Sequence, residues 1–470
     1  VVVLYEDGFN YLTKMCLTNM RDAAFTMMGY AKQLGATVIV SGSDSTDHYQ
    51  QYLEKGADVV IFGEGDETLL RLVDSQRLIV DSRQSIDDSQ QSIVDSQQSI
   101  VDSQQSIVDS QRWTVDSRQS TVDSGRWTLD GGLWTVDRRP WTNIPGIAYK
   151  TDTTIVTNNR GPVLKDLDSL PFPAWDLLDI KPYQKAWKKH GYFSINVATT
   201  RGCPFKCNWC AKPIYGNRYN SHSAEYIVSL IKHMRQYFAF DHIWFCDDIF
   251  GLKPGWVQTF SAEMQYAALR IPFKIQSRAD LLVKDDTADA LAKAGCEEVW
   301  IGAESGSQKV LDAMDKGTTI AQIVSATALL KKHGIKPCFF LQFGYPGENW
   351  DDIQSTLKMV DDLQPFDIGV SVSYPLPGTK FFENVKNDLS QKSNWTDSDE
   401  LLLMYRGTFG PEFYKALHRY VHRRFRAAAA RRYFVRKGNP TAALKYVYHK
   451  PLEWLEHRKT MRLLAAEQAS

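Results

Sequence analysis

Runs of consecutive Val, Ile and Leu alternate along most of the chain with segments whose apolar residues recur every three or four positions. That alternation predicts buried strands separated by amphipathic helices. Over residues 1–73, VVVLYE reads as a strand, NMRDAAFTMMGYAKQLG as a helix ending at Gly35, and ATVIVSGSD as a strand running into a Gly/Ser loop. HYQQYLEKGA is again helical, DVVIFGEGDE is a strand and a Gly turn, and TLLRLV opens another helix. Continuous apolar strands between such helices predict a parallel sheet covered on both faces, a partial Rossmann-like domain. About half of a doubly wound domain is accounted for, and the opening VVVLY lacks an initiator Met, so the domain reads as cut short at its start.

Residues 74–142 break the pattern: units such as SIVDSQQ place an Asp every seven residues from Asp74 to Asp137. A coiled-coil seam needs apolar residues three and four apart, but here they are adjacent (Ile93-Val94, Ile100-Val101), so the heptad reading fails. Ser, Asp and Gln dominate, which predicts a low-complexity insertion too polar to offset its ordering entropy. A β-solenoid is the rival, although the units lack its usual Gly turns.

Ordinary patterning resumes at NIPGIAYK. Residues 143–190, with the Pro-punctuated DLDSLPFPAWDLLD, read as a linker. Within 191–380 strands are predicted at 192–200, 242–248, 273–280, 298–305, 336–344 and 367–377. Helices are predicted between them near 223–238, 256–269, 286–294, 320–333 and 350–363. Six β/α units fall short of a closed eight-stranded barrel, so the expected fold is α/β with a partial (β/α)6 TIM-like barrel. Residues 381–470 read as a C-terminal region, helical and basic from Pro411. Its helices either pack on the barrel with solvated charges or form a surface for an acidic partner or lipid headgroups.

Composition narrows the function classes. The 470 residues allow two or three domains, and 55 basic against 55 acidic side chains give no global argument for nucleic acid or anionic membrane. No apolar run is long enough to cross a bilayer. Seven cysteines, an odd number with three clustered, argue against a disulfide framework and for a reducing, cytoplasmic setting. Cys246, Cys296 and Cys338 read as small buried apolar residues, and Cys16 stands alone upstream.

The clustered three lie in RGCPFKCNWC, at Cys203, Cys207 and Cys210, in the loop after the first barrel strand. A structural zinc site closes its coordination sphere with four ligands, and the nearest histidine, His222, lies beyond the usual spacing. Three thiolates can instead hold three irons of a cubane and leave the fourth open. Polar residues end the other strands: Asp247 and Asp248, Gln276 to Arg278, Glu304 and Ser305, then FGYPGE and SYPLPGT. In such barrels these ends converge on one mouth.

Cys203-x3-Cys207-x2-Cys210, with Trp209 before the last cysteine, resembles the signature of the radical SAM superfamily. The resemblance implies a [4Fe-4S] cluster on the three cysteines, whose open iron chelates S-adenosyl-L-methionine and whose electron cleaves it to methionine and a deoxyadenosyl radical. It further implies that Glu304 of GAESGS meets the ribose hydroxyls and that Ser277 or Arg278 holds the carboxylate. Gly344 and Gly347 would let backbone approach the adenine. From the residues alone, Arg278 could also pair with Asp280 or Asp248, and Gly347 could be an ordinary turn. The first domain resembles the cobalamin-binding domain that precedes many such barrels, through SGSDSTD and GEGDETL, with Ser41, Gly42, Ser43, Gly63, Glu64 and Gly65 as candidate contacts. Its departure is the missing Asp-x-His-x-x-Gly pattern: STDHYQQ contains His48 at another spacing.

Within the superfamily the chain is similar to the group containing anaerobic magnesium-protoporphyrin monomethyl ester cyclases and cobalamin-dependent methylases. That implies methyl transfer to, or oxidative cyclisation of, a lipid- or porphyrin-like small molecule, with flavodoxin or ferredoxin as reductant and no nucleic-acid partner. No single catalytic side chain is assigned. The alternatives are a tRNA-modifying methylthiotransferase, which usually carries more upstream cysteines than Cys16, and an inactive truncated fragment.

Overall fold

The computed structural model describes residues 1–5, 17–75, 141–151, 154–284, 286–390, 392, 394–397 and 400–469. Nearly all of the seven-residue repeat, and Cys16, lie outside the described residues.

The first sheet has five strands in sequence order: β1 (Val2–Tyr5), β2 (Val38–Ser41), β3 (Val59–Ile61), β4 (Ile147–Lys150) and β5 (Ile155–Thr157). β1, β2 and β3 pair in parallel, and both faces are covered. Because side chains alternate across a strand, Val38 and Val40 pack under Met28, Tyr52 and Leu53, while Ile39 joins Leu72 and Trp141 on the other face. The stretch 143–190 differs from the linker expected. β4 pairs antiparallel with β3, and β5 pairs antiparallel with β4. Gly146 leads into β4 at φ +69, and Asn158, just after β5, ties the two open ends together by donating to the carbonyls of Trp141 and Ile144 at 2.9 and 2.7 Å. The linker pattern was misleading because strands this short carry little periodicity.

The second sheet holds β6 (Ser194–Val197), β9 (His242–Phe245), β10 (Phe273–Ser277), β11 (Cys296–Glu304), β12 (Lys336–Phe343) and β13 (Asp367–Val372). All pair in parallel in the order β13-β12-β11-β10-β9-β6, which leaves β6 and β13 as edges of a half-barrel. Helices Ala224–Tyr237, Trp256–Tyr266, Thr287–Ala294, Ile320–Lys332 and Trp350–Leu363 connect them, each within a few residues of its expected place. One continuous apolar core lies between sheet and helices.

The first barrel strand is shorter than predicted. It stops at Val197, and Thr200–Arg201 forms β7, paired antiparallel with β8 (Asn220–Ser221). The cause is Asp247, fully buried, whose carboxylate accepts from the backbone N–H of Thr199 and Thr200 at 2.7 and 2.8 Å and from both hydroxyls. Burial pushes this carboxyl up to about 7, against the pull of those four hydrogen bonds. The clamp turns the chain out of the sheet and starts the cysteine loop. At the C-terminal end, helices Pro411–Lys437 and Pro440–Ala469 pack side by side around Gly438, which caps the first at φ +62. Among the described residues no helix is long and apolar enough to cross a membrane.

Candidate active site

The three cysteines sit on a loop that the fold over-determines. Gly202, at φ +79, precedes the first; a Cβ there would lie 2.3 Å from the Arg218 carbonyl oxygen, so only glycine fits. Asn208, inside the cysteine run, is buried and uses all its polar atoms. Its N–H donates to Met314 O at 3.0 Å, its side-chain amide donates to Ala313 O at 2.7 Å, its Oδ1 accepts from the Tyr345 hydroxyl at 2.8 Å, and its carbonyl accepts from Phe381 N at 2.9 Å.

Cys203, Cys207 and Cys210 line a cavity of about 330 Å³ at the C-terminal ends of the strands. Trp209, Ser277, Arg278 and Glu304 share it, so the residues expected from three separate segments meet in one place. Trp300 and Phe340, stacked at 4.8 Å, line the same cavity and give it an apolar wall. Burial raises the Cys203 thiol, and Lys212 nearby counters part of that rise.

Two buried cations flank Cys207. Arg278 lies flat on Phe205, 3.7 Å from the ring centre, with Nη1 4.0 Å from the Cys207 sulfur. Its Nε pairs with Asp280 at 2.9 Å and its Nη2 donates to Thr318 Oγ1 at 3.0 Å. The bland pairing of Arg278 with Asp280 is therefore present, together with the approach to the thiol. Lys316, which the linear pattern gives no reason to single out, donates to Glu304 Oε1 at 2.6 Å. Burial pulls the Lys316 ammonium down, but Glu304 and then Cys207 outweigh it and hold it above the ordinary lysine value. Glu304 itself adopts φ +56 at a register shift in β11, which ends the strand and sets its carboxylate in the cavity wall.

Other expected residues fall elsewhere. Gly344 does not line this cavity; it packs under Tyr414 and Leu403 and donates to Glu348 Oε2 at 2.5 Å. Gly347, also outside it, has φ +81, as a turn requires, and its carbonyl accepts from Lys309 at 3.2 Å. His222 binds Asp168 at 3.0 Å and stacks on Tyr226, away from the thiols. Cys296 and Cys338 are buried as expected, whereas Cys246 is only half-buried.

In the first domain, Ser41 ends β2 with Gly42 and Ser43 after it, and Gly63, Glu64 and Gly65 follow β3. Ser43 Oγ is buried and finds no hydrogen-bond partner among the described residues, an orphan that a bound polar group would satisfy. A Cβ on Gly65 would crowd Ser41 Oγ and Tyr5 at 3.2 Å. Glu64 also braces the protein itself. Its carboxylate accepts from Leu164 N at 2.6 Å and from Arg201 at 3.2 Å, and Asp66 takes the same guanidinium at 2.7 Å. This ties the loop after β3 to the residue two positions before Cys203.

The donor set bears on the metal reading. Among the described residues no three His, Cys, Asp or Glu side chains are gathered closely enough to share one ion. Three thiols on one cavity are donors of the kind that an iron–sulfur cubane takes, one to an iron.

The family model for the radical SAM superfamily matches residues 197–360, from the end of β6 to the helix after β12. An uncharacterized methyltransferase of Pyrococcus horikoshii is 28% identical over 254 residues, 54% of this chain and 54% of that protein. An anaerobic magnesium-protoporphyrin IX monomethyl ester cyclase of Rubrivivax gelatinosus is 26% identical over 249 residues, 52% of this chain and 43% of that one. The chain spans about half the length of these curated relatives. Among solved structures, the cobalamin-dependent S-adenosylmethionine radical enzyme OxsB with aqua-cobalamin bound has a similar fold, with TM-score 0.64 at 15% identity, covering 97% of this chain and 63% of that chain. Cysteine loop, half-barrel and sequence match coincide: the chain carries a radical SAM domain over residues 197–360.

Proposed function

We propose that this chain acts as a cobalamin-dependent radical SAM methyltransferase on a small molecule. The observation that carries the reading is the meeting of Cys203, Cys207 and Cys210 with Arg278 and the Glu304–Lys316 pair on one cavity. When bound, the [4Fe-4S] cluster supplies the electron that cleaves S-adenosyl-L-methionine, and cobalamin carries the methyl group. The three thiols would hold the cluster. Arg278 and Lys316, both buried, offset the negative charge that the thiolates bring into a low-dielectric site. Glu304, oriented by Lys316, is the ribose acceptor in this reading, and Ser277 and Arg278 face the amino-acid end.

Ser43, left unsatisfied just after β2, favours a polar ligand over the first sheet. The likeness in fold to OxsB supports cobalamin as that ligand. Trp300 and Phe340 give the cavity an apolar wall suited to a lipid- or porphyrin-like substrate. Oxidative cyclisation is the second reading, favoured by the similarity to the Rubrivivax cyclase.

Anaerobic reconstitution followed by reduction, with flavodoxin or a chemical reductant, tests the first part: methionine is released from S-adenosyl-L-methionine, and Cys207→Ala abolishes the release. Full release from that variant refutes the assignment. Hydroxocobalamin tests the second part: its absorbance should travel with the protein through gel filtration, and free elution would remove cobalamin from the account.

A further inference from the structure

At the opposite ends of the strands from the cysteines, a second and larger cleft of about 1580 Å³ opens between the C-terminal helices and the loops leading into β12 and β13. Its chemistry is lopsided. Between Phe413 and Leu452 the sequence contains eleven Lys and Arg and no Asp or Glu. A few of these charges are matched: Arg419 pairs with Glu456, Arg424 with Asp361, and Lys450 with Glu453. Among the described residues, Arg426, Arg431, Arg432, Arg436 and Lys445 form no ion pair, and all five line the cleft. Their crowding has a cost that agrees with this. Burial first, then Arg432 and Arg436, depress the Lys331 ammonium on the cleft wall. Such a surface is short of anions.

The tip of the same helix pair is apolar as well as basic. Val435, Leu444 and Val447 are 73%, 71% and 66% exposed, and Tyr433, Phe434 and Tyr448 stand beside them in sequence with exposures of 52%, 44% and 61%. Aliphatic side chains of this size add nothing to the binding of a polyanion in water. A bilayer with acidic headgroups offers a plane of negative charge and an apolar interior directly beneath it, and aromatic rings favour the boundary between them.

We propose that residues 431–450, the end of the C-terminal helix hairpin, dock this protein on the surface of an anionic phospholipid bilayer. The arginines of the cleft take headgroup phosphates, and Val435, Leu444 and Val447 enter the acyl boundary. The inference is independent of the cluster chemistry, because the surface and the cysteine cavity lie at opposite strand ends.

The test is co-sedimentation of the full chain with vesicles of phosphatidylcholine alone or with about one quarter phosphatidylglycerol. Binding is expected to the second kind only, weakening as salt rises. Arg432→Ser with Arg436→Ser should lower affinity roughly thirtyfold, since each basic group near such a surface is worth roughly fivefold. Val435→Ser with Leu444→Ser should lower it at least about tenfold, through lost apolar burial. Both variants should keep the circular dichroism of the parent, since these side chains are not part of the core. No binding to the anionic vesicles overturns the proposal, and so does equal binding to the neutral ones. Binding that the apolar substitutions leave unchanged also overturns it, and would mark a surface for an acidic protein or nucleic acid.

Discussion

Glu304 and Lys316 form a buried ion pair on the cavity wall, and its value lies in geometry more than in net stability. Removing one partner leaves the other charged and buried, so Lys316→Met or Glu304→Gln should each cost about 3–5 kcal/mol in denaturant unfolding. The two together should cost less than the sum of the separate losses. Glu348 gives a pH test at the same scale. Burial pushes its carboxyl up to about 8, with the Gly344 N–H opposing, and its second oxygen finds no partner among the described residues. The folded chain then keeps this proton while the unfolded chain releases it, so stability falls as pH rises from about 4.5 to about 8. Glu348→Gln should flatten that part of a stability–pH curve; a variant with the parental slope would place the titration elsewhere.

The cysteine loop behaves as an element because Asn208, Asp247 and Gly202 fix it at three points. Asn208→Ala removes the side-chain bonds to the Tyr345 hydroxyl and the Ala313 carbonyl, which keep each other at 3.0 Å, for an expected loss of about 1 kcal/mol and fewer irons per chain after reconstitution. At this scale the sequence is unevenly legible. Ligand spacing is local, so Cys203, Cys207 and Cys210 stand out, and so do long strands such as β11 and β12, of nine and eight residues. The alternation of β11 also foretells that Trp300, Gly302 and Glu304 share a face, and all three line the cavity. Lys316 was invisible because its role depends on a short helix, Gln308–Ala313, that brings it back over Glu304. The pairing of β4 with β5 was hidden too, its strands of four and three residues joining a sheet begun before the repeat.

Over the whole molecule, the two sheets meet through Arg201, held by Glu64 and Asp66 from the first and seated at the root of the cysteine loop in the second. The proposed methyl transfer needs two cofactor sites in register, and this contact is a physical means of setting it. Arg201→Ala should leave iron content near the parental value while loosening cobalamin retention and speeding proteolysis between the units; loss of iron alone would mean that Arg201 serves only the loop. The central claim is that three thiols anchor a four-iron centre with one corner open to S-adenosyl-L-methionine. Electron paramagnetic resonance of the reduced, anaerobically reconstituted chain tests it most directly. The account predicts a reduced-cluster signal whose g-values shift when S-adenosyl-L-methionine is added. A spectrum indifferent to that addition, or protein that carries zinc and gives no such signal, would contradict it.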